Sequence, residues 1–265
     1  MSPADEEIEH LAVAHGATIS IWCGSLDGMP WIVREPDRVH PAASTFKPAL
    51  LIALHRAAVD DGLDLDEEIE VRAVLPSAVP GATYETTRAY DNDELPWLRL
   101  GGTASLRWLG ERSVVRSSNL ATNLLLDRLG IRAVNAVFER AGSTGCVVRR
   151  PIQDTPASAA GLGNEVTASG LAAVLCDLAR HGPSEVERTL AACEDDQMAA
   201  AGLPAGIHFA HKPGWFEGVC HDAGIVRPGE GDPFVLVVLT ASALDDHAAQ
   251  GLVADTARLC WESRP

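Results

Sequence analysis

The chain has 265 residues, enough for one large unit or two intimately packed ones with a substantial core. Hydrophobic content of 46% and charged content of 22% are those of a globular protein. A net charge of -16 argues against binding nucleic acid through its backbone, because no basic stripe is available to neutralise phosphates.

Residues 4–14 place Ile8, Leu11, Ala12 and Val13 behind an acidic first turn, which predicts an amphipathic helix. Thr18 to Cys23 reads as a strand, Gly24 to Pro30 as a turn and Trp31 to Val33 as a second strand, together a hairpin. Ser44-Thr45-Phe46-Lys47 then opens a helix running to about Val59, apolar on most faces and so expected at the centre of the core. Asp60 to Glu70 is acidic and turn-rich. Residues 75–103 carry little periodicity and read as a long surface segment; Tyr84, Tyr90, Trp97 and the following Trp108 either line a groove or pack beneath the loop.

Helical spacing returns at Ser105 to Leu109 and at Asn119 to Leu129, with Gly130 as a stop, and continues over Ile131 to Ala141. Arg149 to Gly163 is irregular. Thr167 caps a helix from Ala168 to Arg180, and a further helix is expected from Glu185 to Ala201. Strands follow at Ile207 to His211, Ala223 to Val226 and Phe234 to Thr240, the last continuously apolar as in a strand covered on both sides. Ala243 to Trp261 closes the chain as an amphipathic helix. The expected fold is α/β of the α+β type: an antiparallel sheet flanked by helices, with an all-helical companion. Residues 1–43 and 203–265 are expected to form the sheet part and 44–202 the helical part of one unit spanning 1–265.

No apolar run approaches the roughly 20 residues needed to span a bilayer, so no membrane partner is expected. Asp5, Glu6, Glu7 and Glu9 give the first residues the wrong charge for a secretory leader, so a cytoplasmic protein is expected unless a leader has been removed. Six scattered cysteines (Cys23, Cys146, Cys176, Cys193, Cys220, Cys260) show no C-x-x-C spacing, which argues against a metal site. They read as small buried hydrophobes in a reducing compartment, with a disulfide as the alternative.

Three short patterns carry chemistry. Residues three apart on a helix share a face, so the Ser44 hydroxyl and the Lys47 amine can meet. Pro48 belongs to a first helical turn, where the positive end of the dipole and apolar burial both disfavour an ammonium. A Lys held there can be neutral and take a proton from serine; the plain alternative is a capping Ser beside a solvated Lys. Ser117-Ser118-Asn119 at a helix start offers a proton-shuttling hydroxyl and an amide, or else a capping pair and a solvent-facing Asn. His211-Lys212-Pro213-Gly214 ends a predicted strand with a fixed charge and a Gly that allows close backbone approach, or else is a simple turn.

In this order the three patterns resemble the Ser-x-x-Lys, Ser-x-Asn and Lys-Thr-Gly set of the serine β-lactamase and penicillin-binding protein superfamily. The likeness is to the class A branch: Ser117 to Leu126 is similar to its Ser-Asp-Asn-Thr-Ala-Ala-Asn-Leu-Leu-Leu block. Gly202-Leu203-Pro204, His221 to Val226, and Asn164 to Thr167 after the family's Ω loop fit as well. The resemblance implies a serine hydrolase working through an acyl-enzyme on a small β-lactam, amide or ester, with no cofactor. Ser44 would be the nucleophile, Lys47 its base or proton relay, Ser117 the proton donor to the leaving nitrogen, and Lys212 a source of field for Ser117 and attraction for a substrate carboxylate. Asn119 would bind a substrate amide, Gly214 would belong to the substrate-binding strand and allow close backbone approach, and the N–H groups of Ser44 and Trp215 would form the oxyanion hole. Asn123 is expected to brace the site.

The departures are as specific. Ser118 stands where the family has Asp, and Pro213 where it has Thr, which removes one carboxylate contact. No Glu occurs between Arg149 and Gly163, where the family carries the group that activates the deacylating water. Gln153, Asp154 and Glu165 are the stand-ins, each with a structural role as the alternative. Slow deacylation is therefore expected. Two other readings keep the fold: an intracellular amidase, esterase or acyl-transferring enzyme, and a non-catalytic penicillin-binding or sensor-like protein.

Overall fold

The structure, a computed structural model, describes residues 3–265. Helix α1 (Pro3–Ala14) leads into the hairpin β1 (Thr18–Ser25) and β2 (Pro30–Arg34), and the short strand β3 (His40–Pro41) precedes helix α2 (Lys47–Asp60). Small pieces follow: β4 (Glu68–Glu70), β5 (Val74–Pro76), β6 (Thr83–Glu85), a 3-10 turn at Arg88–Tyr90, α3 (Glu94–Trp97) and β7 (Thr103–Ser105). Then come α4 (Leu106–Val115), α5 (Asn119–Leu129), α6 (Ile131–Arg140), α7 (Thr155–Ala159), β8 (Glu165–Val166), α8 (Ala168–His181), α9 (Ser184–Ala191) and α10 (Ala199–Gly202). Strands β9 (His208–Phe216), β10 (Val219–Arg227) and β11 (Phe234–Ala241) and helix α11 (Asp246–Glu262) complete the chain.

The apolar run of β11 sits in the middle of an antiparallel sheet ordered β2-β1-β11-β10-β9. Side chains alternate across a pleated strand, so β11 feeds two cores. Phe234, Leu236 and Val238 join α1 and α11 on one face, while Val235, Val237 and Leu239 meet α8 and the helical middle on the other. Ile19, Ile21 and Cys23 of β1 join the first core and Trp22 the second. At the centre of the second core lies α2, buried at every residue from Lys47 to Leu54. The fold is the expected α+β arrangement of an antiparallel sheet with helices.

Several local expectations are corrected. The 75–103 segment is not featureless: β5 pairs with β6, and β7 pairs with β4. Strands of three residues are too short to set a sequence period. The helix expected over Glu185 to Ala201 breaks after Ala191 and resumes at Ala199, whose N–H donates to the Asp222 carboxylate (3.1 Å). Nor is Lys212-Pro213-Gly214 a turn. It lies inside β9, where Pro213 is tolerated because β9 is the sheet edge and needs no ladder donor on its outer side.

Candidate active site

The site forms where the N-terminal end of α2 meets the free edge of β9. Ser44 lies in the turn before the helix, whose N-cap is Phe46 with no side-chain cap, so the capping role open to Ser44 is not the one it takes. Thr45 secures this turn by donating from Oγ1 to Ala42 O (2.6 Å), and Asn164 O accepts the Ala42 N–H (2.9 Å). Ala43 is left at φ +45°, a left-handed conformation that costs a side-chain-bearing residue about 1–2 kcal/mol. Strand β9 presses against the same turn. A Cβ on Gly214 would stand 2.6 Å from Ser44 N and 3.0 Å from Ala43 Cβ, so only Gly fits there without a shift.

Lys47 is fully buried, which removes the solvated-Lys alternative. Its Nζ donates to Ser117 O (2.8 Å), Ser117 Oγ (3.2 Å) and Asn119 Oδ1 (3.1 Å). Ser117 Oγ in turn donates to Ser44 Oγ (3.1 Å). Among the described residues no direct hydrogen bond joins Lys47 Nζ to Ser44, so Ser117 is the bridge. Burial pushes the Lys47 amine well below the ordinary lysine value; Lys212 pushes it the same way and Asp91 opposes both. Ser117 itself is held at φ +56°, a second strained residue beside Ser44.

Lys212 is equally buried, and burial lowers its amine as well. Its Nζ donates to Pro213 O (2.9 Å) rather than to Ser117. Lys212 therefore adjoins the Ser44–Lys47–Ser117 cluster through its field and not through a hydrogen bond. The Asn119 side chain has both ends engaged, Oδ1 with Lys47 and Nδ2 donating to Tyr90 O (2.6 Å). Ser44, Tyr90, Asn119, Ile152, Gln153 and Trp215 face a cleft of ≈ 690 Å³, a size suited to a small-molecule ligand.

The departures from the motif set find physical answers. Ser118, in place of an acid, caps α5 by accepting Ala121 N–H (3.1 Å) and donates from Oγ to Asp91 Oδ2 (3.2 Å). Asp91 Oδ2 also accepts Leu120 N–H (2.8 Å) and Trp97 Nε1–H (3.1 Å). A carboxylate from the 88–93 loop thus occupies the start of α5, the favourable place for negative charge. Sequence spacing gave no sign of it, because Asp91 lies in the segment with no period. Asn123 is the brace expected: its Nδ2 donates to Ile152 O (2.8 Å) and its Oδ1 accepts Ile152 N–H (2.8 Å).

None of the deacylation stand-ins is free. Asp154, fully buried, caps α7 through Ala157 N–H (3.1 Å) and accepts Ser77 Oγ–H and Ala78 N–H (2.7 Å each). Gln153 accepts Thr87 N–H (2.7 Å), and Glu165 pairs with Arg149 (2.9 Å). On the sheet side, His221 Nδ1 accepts Thr240 N–H (3.0 Å), which leaves its Nε2–H to donate to Pro41 O (3.0 Å) three residues before Ser44. A neutral imidazole thus ties the turn that carries Ser44 to β10. Burial, with His40 beside it, lowers the His221 pKa to about 4.

A family model described as the beta-lactamase enzyme family matches residues 3–263. Among solved structures the chain is similar to a β-lactamase from Sphaerobacter thermophilus, at 24% identity and TM-score 0.81 over 99% of this chain and 98% of that one. It is similar to an ancestral class A β-lactamase at 25% identity and TM-score 0.82, covering 98% of this chain and 100% of that one. A structure titled PBP-A aligns at 22% identity and TM-score 0.82 over 99% and 96% of the two chains. No curated protein sequence matches the chain.

Proposed function

The chain belongs to the β-lactamase enzyme family, and on that premise we propose that it is a serine hydrolase that forms an acyl-enzyme on Ser44 with a β-lactam, amide or ester. The observation that carries this reading is the hydrogen-bonded line Lys47 Nζ–Ser117 Oγ–Ser44 Oγ, at 3.2 and 3.1 Å, inside a cleft. A lysine whose pKa burial has lowered is a competent base. In this reading Lys47 takes the Ser44 proton by way of Ser117, and Ser44 Oγ attacks the carbonyl. Ser117 then returns a proton to the leaving nitrogen or oxygen. The backbone N–H groups of Ser44 and Trp215 hold the developing oxyanion, a role worth about 3 kcal/mol per donor in other enzymes. Lys212 contributes positive field, and Asn119 engages a substrate amide after releasing Tyr90 O.

Deacylation is the slow step. Asp154, Gln153 and Glu165 are all engaged elsewhere, which supports a persistent adduct. The same observation favours acyl transfer to a better nucleophile than water as the second reading. A structure of a PBP-A mutant similar to this chain is described as an acyl-enzyme complex with penicillin G, which makes penicillin G a sensible first probe.

The test is incubation with penicillin G and with p-nitrophenyl acetate, followed by intact mass measurement. A mass increase that Ser44→Ala abolishes, with a stoichiometric burst and slow turnover, is expected. Absence of an adduct with every acylating probe refutes the assignment. Rapid steady turnover refutes the slow second step, and products formed with added amines or alcohols separate transfer from hydrolysis.

A further inference from the structure

Two clefts meet at Trp215 beside the Ser44–Lys47–Ser117 cluster, and they differ in charge. Ser44, Asn119 and Trp215 line the larger, of ≈ 690 Å³, and Ser117, Lys212 and Trp215 line the smaller, of ≈ 230 Å³. In the acylation proposed above, Ser117 returns the proton to the leaving atom. The leaving group then departs on the smaller side, and the acyl group bonded to Ser44 lies on the larger. The smaller side is poorly suited to a carboxylate. Glu194, Asp195 and Asp196 line it, and only Glu194 is in an ion pair among the described residues, with Arg116. Lys212 is fully buried with its Nζ donating to Pro213 O (2.9 Å), and Pro213 itself offers neither a hydroxyl nor an N–H.

The larger side holds Arg150, the one cation among the described residues that line it. Its backbone is fastened to the turn that carries Ser44. Asn164 Oδ1 accepts the Arg150 N–H (3.1 Å) and Asn164 Nδ2 donates to Arg150 O (2.9 Å). Asn164 O in turn accepts the N–H of Ala42, two residues before Ser44 (2.9 Å). The Arg150 side chain is half-buried, with Nε donating to Leu162 O (2.8 Å) and Nη1 to Pro151 O (3.2 Å). Carbonyls hold the guanidinium in place without cancelling its charge. The adjacent Arg149 pairs with Glu165 (2.9 Å), whereas among the described residues Arg150 is in no ion pair and its Nη2 has no hydrogen bond. Glu217, the other charged group on this side, is exposed in the turn between β9 and β10 and is not paired with Arg150. A planar guanidinium with an open edge matches a carboxylate in charge and in shape.

We propose that Arg150 is a specificity-determining residue that selects substrates with a carboxylate on the acyl part, so that the chain acts on half-amides or half-esters of dicarboxylic acids. The proposal rests on the reading of Ser44 given above and adds the charge order of the substrate: carboxylate on the acyl side, none on the leaving side. In the step itself Ser44 Oγ bonds the carbonyl carbon, the C–N or C–O bond breaks, and the serine proton ends on the leaving atom. The far carboxylate stays paired with Arg150 from binding through acylation. An interaction made equally in the bound substrate and the transition state acts on the half-saturating concentration and leaves the limiting rate alone. A residue that only shaped the loop would not distinguish a carboxylate from its neutral amide.

The test compares burst acylation of the full chain by mono-p-nitrophenyl adipate and by the same ester with its far carboxyl as a carboxamide. The carboxylate ester is expected to acylate at least tenfold faster per unit concentration, with the difference in the half-saturating concentration. Arg150→Gln should bring the ratio of the two rates close to one, and Arg150→Lys, which keeps the charge, should retain at least a threefold preference. Equal rates in the wild type, or a ratio that survives Arg150→Gln, overturns the proposal. If the variants do not fold, the wild-type ratio decides through salt: it should fall at least threefold between about 20 mM and about 500 mM NaCl, and a constant ratio overturns the ion pair. A third ester, 3-carboxy-4-nitrophenyl acetate, carries the carboxylate on the leaving phenol and should acylate no faster than p-nitrophenyl acetate. A faster reaction would put the carboxylate on the Lys212 side and overturn the charge order. A chain that gives no burst with any ester refutes the role of Ser44 instead. Equilibrium titration then still decides Arg150: adipic acid monoamide should bind at least tenfold more tightly than adipamide, and equal binding overturns the site.

Discussion

Ser117 Oγ donates to Ser44 Oγ at 3.1 Å and lies 3.2 Å from Lys47 Nζ, so Ser44 and Lys47 are joined through a second hydroxyl. In the acylation proposed above, proton transfer depends on Ser117 as much as on Lys47. Ser117→Ala should lower the second-order acylation rate by about 10²–10⁴, the usual range for a lost acid–base group. Lys47→Ala should cost a similar factor. Because the two act as one relay, the double variant should be little worse than either single. Stopped-flow burst measurements with an activated ester check this, and multiplicative losses would show two independent routes.

Lys47 carries two opposing influences besides burial: Lys212 lowers its pKa and Asp91 raises it. If Lys47 is the base proposed above, the acid limb of acylation should lie below the ordinary lysine value. Asp91→Asn removes the raising charge and should move that limb to lower pH. Lys212→Met removes the lowering charge and should move it to higher pH. Opposite displacements in pH–rate profiles are the expected outcome; displacements of one sign would assign the limb to another group. Asp91→Asn should also cost stability, since the Asp91 carboxylate accepts hydrogen bonds from Asp93, Trp97, Ser118 and Leu120.

How much of this was legible in the sequence varies from residue to residue. Ser44, Lys47, Ser117 and Asn119 were readable only because three short motifs in order resemble a known family; the spacing of each motif alone fits an ordinary helix cap or turn as well. Asp91 was not, because it reaches Ser118 from 27 residues away out of a segment with no period. Pro213 suggested a turn, and only the position of β9 at the sheet edge explains why it sits in a strand. The start of α10 was invisible for the same kind of reason: the carboxylate that accepts its first N–H, Asp222, lies 23 residues further on. Local pattern carries local structure; contacts between distant segments need the fold.

Gly214 gives the packing of β9 against the nucleophile a direct test. A Cβ would stand 2.6 Å from Ser44 N, and the obstacle is backbone, which cannot swing aside. Gly214→Ala should depress Ser44 acylation at least tenfold and cost about 1–3 kcal/mol of stability from overpacking. Urea denaturation and the burst rate measure the two effects. A fully active, fully stable Ala variant would mean that the strand and the turn do not press together as described.

Asp154 separates structural from catalytic use of the 149–163 loop. Three hydrogen bonds end on its buried carboxylate, from Ser77, Ala78 and Ala157. Asp154→Ala leaves those donors without their acceptor and removes the cap of α7, for a loss of about 2–4 kcal/mol. Deacylation should change no more than acylation does, since the group never faces Ser44. A selective fall in the deacylation rate, read by the lifetime of the adduct, would instead make Asp154 the water-activating base.

His221 joins the sheet to the turn that carries Ser44 as a neutral ring, with Nδ1 accepting from Thr240 and Nε2 donating to Pro41 O. Its folded pKa of about 4 lies below the unfolded value near 6.5. Above pH 6.5 the ring is neutral in both states and costs nothing. As pH falls below 6.5 the unfolded chain gains a proton that the folded chain refuses, so stability declines until about pH 4 and then levels off. The whole difference is on the order of 3 kcal/mol. His40, also buried and lowered to about 4, adds to the same limb. His211 behaves oppositely: raised to about 10, it contributes fully below pH 6.5 and loses its contribution as pH rises through 10. Comparing wild type with His221→Gln at pH 7 and pH 4.5 isolates one ring from the others. The variant should be less stable at pH 7, where the Pro41 and Thr240 bonds are weakened. Between the two pH values it should lose less stability than wild type, because it has no ring to protonate. Equal losses in urea titrations at both pH values would show that His221 already carries its proton in the folded chain.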